Sequence, residues 1–392
     1  MPPQKPLSQK PTANMQNLTP EQEIIFLLSR LNPSADVLEK ARGLLGDAGH
    51  PVDYGSLVRL ASANEVTPLL YTNLAGMDNV PGDVKEKLRN SYLGTVKNNV
   101  RNEHEMLGIL DMLKNEGVEA IPLKGALASG MIFGNPGLYP AADIDILVRP
   151  SGLERAGEIL KGAGYSKSEG YDERDLLISH YHFLYQRDRH NVEVHWNLVK
   201  RYFDIPPDFW WGGIRKAGHE GRELSMLQTE RYIMYTVFRL FDHGFRPLKF
   251  FVLVSEIVNK YRDEIDWRGF RSFSRQYGMS RLCNFTLRLL NDMLGTKVPE
   301  NVAGSRVFGY GAFKRLVVSG LFKEAGRPHL RMFLYTFLLD SPLDLARVIL
   351  RRFFPRAGEI RLRYNLPKSS KKLYAYYLLN PFLVLLKKSP RH

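Results

Sequence analysis

Three carboxylates near the middle of the chain have the types and spacing from which metal-assisted phosphoryl chemistry can be built. Asp143 and Asp145 are two apart in Ala142-Asp-Ile-Asp-Ile-Leu-Val148, and Glu193 lies in Val192-Glu-Val-His-Trp196. In an extended strand, residues i and i+2 point to the same face, about 7 Å apart along the backbone. Like charges that close are unfavourable unless something positive lies between them. A hard divalent ion, Mg²⁺ or Mn²⁺, takes one or two such carboxylates and leaves positions open for phosphate and water. An isolated Asp-x-Asp is more often a solvated edge pair. Here Ile144, Ile146, Leu147 and Val148 make the strand too apolar for a solvent edge, which places the acids where a buried strand meets the sheet rim.

Upstream, Lys124-Gly125-Ala126 ends one strand, Val118-Glu-Ala-Ile-Pro-Leu123, and opens a short helix over Ala126 to Phe133. Unpaired N–H groups at a helix start, with the helix dipole, attract phosphate. Gly125 permits close backbone approach and Lys124 adds a point charge. Three acids, a phosphate cradle and a metal make a phosphoryl-transfer site, in which the third acid activates an acceptor hydroxyl. His195 shares a face with Glu193 and is expected to orient it. His180, His182, His190 and His195 also raise a zinc site, but no cysteine accompanies them and they surround a hairpin with alternating faces. Bonding within the sheet is the expected role.

The elements that must position these groups are strands only in the middle third. Residues 1 to about 18 are rich in Pro, Gln and Asn and read as disordered. Order begins at Thr19-Pro-Glu-Gln22, with an N-cap hydroxyl, a proline at the first helical position and Gln at the third. The pattern stays helical to Asn115, and Gly117 is a left-handed stop. After the acid pair, Ser151 and Glu154 read as a capping box, a third strand follows at Tyr165, and His180–Gln186 with Asn191–Asn197 flank a polar hairpin turn. Beyond about Leu224 the chain is helical again, one helix carrying Leu282, Phe285, Leu289, Leu290 and Met293 inward and stopping at Gly295. The regions are 1–18 (tail), 19–116 (helical), 117–223 (mixed α/β core), 224–340 (helical) and 341–392 (basic helical tail).

At this level the sequence resembles the uncharacterised bacterial nucleotidyltransferase family within the DNA polymerase β-like nucleotidyltransferase superfamily. The blocks that carry the resemblance are Ile121-Pro-Leu-Lys-Gly-Ala-Leu127, Gly134-Asn-Pro-Gly-Leu138, Ala142-Asp-Ile-Asp-Ile-Leu-Val148 and Val192-Glu-Val-His-Trp196. Later ones are Leu240-Phe-Asp-His-Gly244, Leu248-Lys249, Glu256-Ile257, Asp266-Trp267 and Val298-Pro-Glu300. The resemblance runs from about Asp53 to the basic tail. It implies an α+β fold with a mixed sheet flanked by N- and C-terminal helical regions. It also implies Mg²⁺-dependent transfer of a nucleoside monophosphate from an NTP to an unidentified hydroxyl acceptor on a protein, an RNA or a small molecule. Asp143 and Asp145 are then the metal ligands, Glu193 the third acid, and Lys124, Gly125 and Ala126 the nucleotide side. Helices pack over the nucleotide in this family, so Lys249 becomes a weak candidate for reaching a triphosphate, against a solvated lysine. Two positions depart from the pattern. Gly125-Ala126 stands where Gly-Ser or Gly-Gly is usual, and Tyr139 where an Arg commonly precedes the acid pair.

Two competing functions remain open. One is a catalytically silent protein that keeps the fold and holds nucleic acid or another anionic partner through its tail. The other, ranked last, is a glycosyltransferase, which would need several strands before the acid pair, where the chain reads as helical.

Composition sets the outer bounds. With 392 residues, 44% of them apolar, the chain can bury two or three cores, and one cysteine, Cys283, excludes an intramolecular disulfide. No secretory leader is evident and no apolar run approaches the roughly 20 residues that cross a bilayer, so the cytoplasm is the expected location. The net charge is +14, and residues 347–392 hold twelve Lys or Arg against the single acid Glu359. The body is therefore nearly neutral. In the tail, Leu345, Val348, Ile349 and Phe353 form a stripe expected to pack on the body beneath a charged outer face, with contact to lipid or nucleic acid as the alternative.

Overall fold

Thr19 caps the first helix as its hydroxyl and proline spacing require, and the chain then builds helices before, after and around one five-stranded sheet. The computed structural model describes residues 18–168, 181–200, 203–303, 307–322, 328–367 and 369–385. The expected tail at residues 1–17 and His180 fall outside these. The first helices are α1 (Pro20–Leu28), α2 (Ala35–Leu45), α3 (Tyr54–Ala63), α4 (Thr67–Leu74) and α5 (Gly82–Asn115). At 34 residues, α5 is about 51 Å long, enough to start among the N-terminal helices and end beneath the sheet.

The sheet contains β1 (Ala120–Pro122), β2 (Ile144–Val148), β3 (Ser166–Lys167), β4 (His182–Arg187) and β5 (His190–His195), in the order β1-β2-β5-β4-β3. Among the described residues of this sheet, only the β2–β5 pair is parallel. Two helices interrupt it, α6 (Ala126–Met131) and α7 (Leu153–Gly162). Alternation assigns the two faces. Ile144, Ile146 and Val148 of β2, with Val192 and Val194 of β5, pack on Met106, Leu110 and Leu113 of α5 and on Ala156 and Leu160 of α7. The opposite face carries Asp145, Glu193, His182 and His195, and there Leu147 joins the large helical core.

That core draws on both helical regions. After a second small sheet, β6 (Arg215–His219) with β7 (Arg222–Met226), the chain forms α8 (Thr229–Asp242), α9 (Leu248–Lys260), α10 (Trp267–Gln276) and α11 (Ser280–Leu294). Ile24, Leu28, Leu57 and Leu70 share one buried cluster with Ile233, Phe251, Leu282 and Phe285. Asn64, 1% exposed, accepts from the backbone N–H of Leu248 and donates to the carbonyl of Leu321 at 3.0 Å.

Several local expectations need correcting. Gly152, not Ser151, is the N-cap of α7, which follows a 3₁₀ turn at Pro150–Gly152, and no side chain caps it. The helix after Gly125 ends at Met131, short of Phe133. The β6–β7 hairpin has no counterpart in the sequence reading, because Gly218 and Glu220-Gly221 mask its short strands as loop. Gly117 and Gly295 do take the left-handed conformation at their helix ends.

The C-terminal region holds α12 (Glu300–Ala303), α13 (Tyr310–Phe322), α14 (Pro328–Tyr335), α15 (Pro342–Phe353), α16 (Ala357–Tyr364) and α17 (Lys372–Leu385). Leu345, Val348, Ile349 and Phe353 are half-buried, in keeping with the expected stripe. The outer face of α15 is not the charged one expected: Leu343, Leu350 and Phe354 stand out beside Arg347. Among the described residues, no helix is long and apolar enough to cross a membrane.

Candidate active site

Asp145 is fully buried near the middle of β2, and the parallel register sets it directly opposite Glu193 on β5. One Asp145 oxygen accepts from Lys124 Nζ at 2.7 Å, and the other is 3.1 Å from His195 Nε2. The same nitrogen is 3.2 Å from Glu193 Oε2, so one imidazole lies between two carboxylates. Asp143, half-buried just before β2, accepts from Asn191 Nδ2 at 3.2 Å. Asn191 follows from period two, lying on the Glu193 and His195 face, but the sequence reading did not single it out.

The three acids differ in electrostatics. Burial pushes the Asp143 carboxyl up, and the charges of Asp145 and Glu193 add to this. Burial also opposes ionisation of Asp145, but the Lys124 ammonium and the hydrogen bond to His195 outweigh it and hold that carboxyl well below the usual range. For Glu193 burial is again the largest influence, opposed by His195 and His182, with a net downward shift.

A separate set of contacts fixes the loop that delivers the acids. Asn99 on α5, fully buried, donates to the carbonyls of Pro136 (2.6 Å) and Tyr139 (2.8 Å) and accepts from Ala141 N–H at 3.2 Å. Ser129 Oγ accepts from Tyr139 N–H at 3.0 Å. Lys249 is not a solvated lysine: it is largely buried, pairs with Glu65 and donates to the Pro140 carbonyl at 3.1 Å. Gly125 has φ +86°, and a Cβ there would lie 3.0 Å from the Asp143 carbonyl oxygen, so glycine is required for the β1–α6 turn to pass the acid loop. Ala126 follows, buried, as the first residue of α6.

The helical side of the site comes from α8. Arg239 donates to Tyr181 Oη at 2.8 Å, and Tyr181 in turn donates to Asp242 at 3.4 Å, while Lys200 pairs with Asp242. The Tyr181 ring stacks on His195, centroids 5.8 Å apart. Burial opposes the Arg239 charge, yet Tyr181, Tyr235, Asp145 and Asp242 outweigh it and raise the guanidinium above its ordinary value. Arg239 escaped the sequence reading because its only signal is a cation inside an apolar helix far along the chain.

Donor chemistry supports a divalent ion. His182, Glu193 and His195 each present one donor atom, all within 4.8 Å of one another. His182 and His195 are cross-strand partners on one face, not spread over both, and only His190 takes the other. Asp145 touches this group through His195 Nε2, while Asp143 is bonded to Asn191 on the same sheet face. Buried polar atoms without a hydrogen bond among the described residues include Glu193 Oε2, His195 Nδ1, Arg239 Nε and the Tyr139 and Tyr235 hydroxyls. Carboxylate oxygens suit hard divalent ions and imidazoles suit softer ones, so the two histidines and one carboxylate of this group do not by themselves select one metal.

A mixed sheet with carboxylates on adjacent parallel strands, a Lys-Gly turn beside them and helices over that face is an α+β nucleotidyltransferase-like architecture. The chain belongs to the family described as uncharacterised nucleotidyltransferase, which matches residues 50–295. The match ends before the Val298-Pro-Glu300 block and the basic tail. No curated protein and no solved structure matches the chain.

Proposed function

We propose that the protein moves a nucleoside monophosphate from an NTP to a hydroxyl acceptor, with a divalent cation held by Asp143, Asp145 and Glu193. The observation that carries this reading is the register that sets Asp145 against Glu193 on neighbouring parallel strands, with Asp143 at the strand entrance. In the reaction the acceptor oxygen bonds to the α-phosphorus, the bond to the bridging oxygen breaks, and pyrophosphate leaves. Glu193, at the rim and one-fifth exposed, takes the hydroxyl proton. The cation would neutralise the phosphate chain and polarise it. Lys124, released from Asp145, meets a phosphate oxygen as a point charge, and the Gly125-Ala126 turn offers backbone N–H groups but no hydroxyl. Lys249 contributes by holding Pro140 and the loop to Asp143, since contact with a triphosphate would require it to leave Glu65.

Charge balance supports the need for a metal. Four carboxylates (Asp143, Asp145, Glu193, Asp242) face three cations (Lys124, Lys200, Arg239), so a bare triphosphate meets net repulsion. The test is incubation with α-labelled NTPs and Mg²⁺ or Mn²⁺, following release of pyrophosphate. Metal-dependent release that is lost in Asp143→Ala is expected. Release that is undiminished in that variant would refute the assignment.

One observation favours a second reading, a protein that keeps the fold without turnover. Lys124 and His195 already compensate both oxygens of Asp145. Such a protein would give no pyrophosphate with any NTP and would show no metal-dependent binding.

A further inference from the structure

Helices α15 and α17 pack on each other and leave their outer faces apolar. Asn380, fully buried on α17, donates to the Phe353 carbonyl at 2.8 Å and accepts from Arg363 and Tyr364 of α16, which fixes the rotation of α17. With Leu373, Asn380 and Val384 inward, positions 378 and 382 lie roughly 200° from Asn380 around the axis. They are Leu378 (77% exposed) and Phe382 (63%), with Tyr374 (74%) beside them. On α15 the exposed positions follow the same spacing, with Leu343, Leu350 and Phe354 each more than half exposed. Single exposed apolar residues need no explanation, but two neighbouring helices with such stripes do.

The same segment holds the basic excess of the chain, twelve Lys or Arg between residues 347 and 392. Arg347 stands in the α15 stripe, Arg356 follows it, and Lys371 and Lys372 open α17, all exposed. We propose that this face docks on an anionic lipid bilayer, the apolar stripes entering the acyl boundary while the basic groups meet the head-group phosphates. At 14 residues α17 spans about 21 Å, too short for the roughly 30 Å hydrocarbon core, so the helices would lie in the surface plane and not cross it. A nucleic acid would satisfy the cations and leave the leucines in water. A second copy of the chain would cover the leucines but oppose one basic face to another.

The test is co-sedimentation of the full chain with vesicles of equimolar phosphatidylglycerol and phosphatidylcholine, and with phosphatidylcholine alone. Sedimentation with the anionic vesicles, weakened by added salt and absent from the neutral ones, is expected. The pairs Leu378→Ser/Phe382→Ser and Lys371→Glu/Lys372→Glu should each weaken it at least tenfold, with thermal unfolding unchanged because all four side chains are exposed. No sedimentation, full retention of binding by the leucine–phenylalanine pair, or salt-sensitive binding to single-stranded RNA in place of vesicles would overturn the proposal.

Discussion

Asp145 and Glu193 stand opposite each other on neighbouring parallel strands and reach the same imidazole nitrogen, His195 Nε2, at 3.1 and 3.2 Å. The imidazole helps offset the burial of both carboxylates, with the Lys124 ammonium the larger influence on Asp145 and His182 adding to it at Glu193, and this has a measurable consequence. His195→Ala leaves the buried Asp145 Oδ1 without its hydrogen-bond partner and removes the nearest nitrogen from Glu193 Oε2, and should cost about 2–4 kcal/mol of stability, read by urea denaturation at neutral pH. His195→Gln, which can still donate to one acid, should cost less.

Asn99 acts on the site from outside it. Its side chain holds three backbone groups of the loop that leads to Asp143. Asn99→Ala should therefore cost about 2–3 kcal/mol and raise amide exchange in residues 136–141 more than in α5 around the substitution.

Gly125 cannot be replaced cheaply. A side chain there meets a positive φ and the Asp143 carbonyl oxygen together. Gly125→Ala should lower stability by about 2–3 kcal/mol, visible as a lower Tm, whereas Gly82→Ala, where a Cβ meets nothing within 4 Å at a helix start, should be close to neutral.

Acid sensitivity should follow Asp242. Burial disfavours its charge, but Lys200 and Arg239 outweigh that and hold its folded-state carboxyl below the ordinary value. A depressed carboxyl contributes stability above its unfolded value, about 4, and loses it as pH falls through the folded value. Asp242→Asn should thus be less stable than the native chain at pH 7, by about 2 kcal/mol, and the gap should shrink on acidification below about pH 4. Paired denaturation curves at the two ends of that range check the sign.

The parts of the site that follow alternation were legible in the sequence. Period two put Asp143 with Asp145 and Glu193 with His195, and the apolar neighbours of Asp145 marked a buried strand. That the Glu193 strand lies next to the acid-pair strand in one sheet was part of the three-acid reading and holds in the structure, but the parallel sense of the pairing was not legible, because nothing local in two short apolar strands specifies it. Asn99 and Arg239 were missed for a related reason: each is a polar residue on a helix whose partner is more than 35 residues away in sequence. The reading of Lys249 as a solvated lysine does not hold, since the side chain is largely buried against Glu65 and Pro140, partners from two distant loops that the sequence does not connect to it. In the tail, the inward stripe of α15 was readable from spacing. What covers its outer leucines was not, because a sequence pattern gives faces and not neighbours.

On the proposed function, Asp143, Asp145 and Glu193 hold a divalent ion together with a triphosphate. Titration calorimetry with Mn²⁺ and each NTP tests it most directly, using the native chain, the chain without metal, and Asp143→Ala. Saturable binding of at least one NTP that requires the metal and weakens at least tenfold in the variant is expected. Equal affinity in the native chain and in Asp143→Ala, or binding indifferent to the metal, would contradict it.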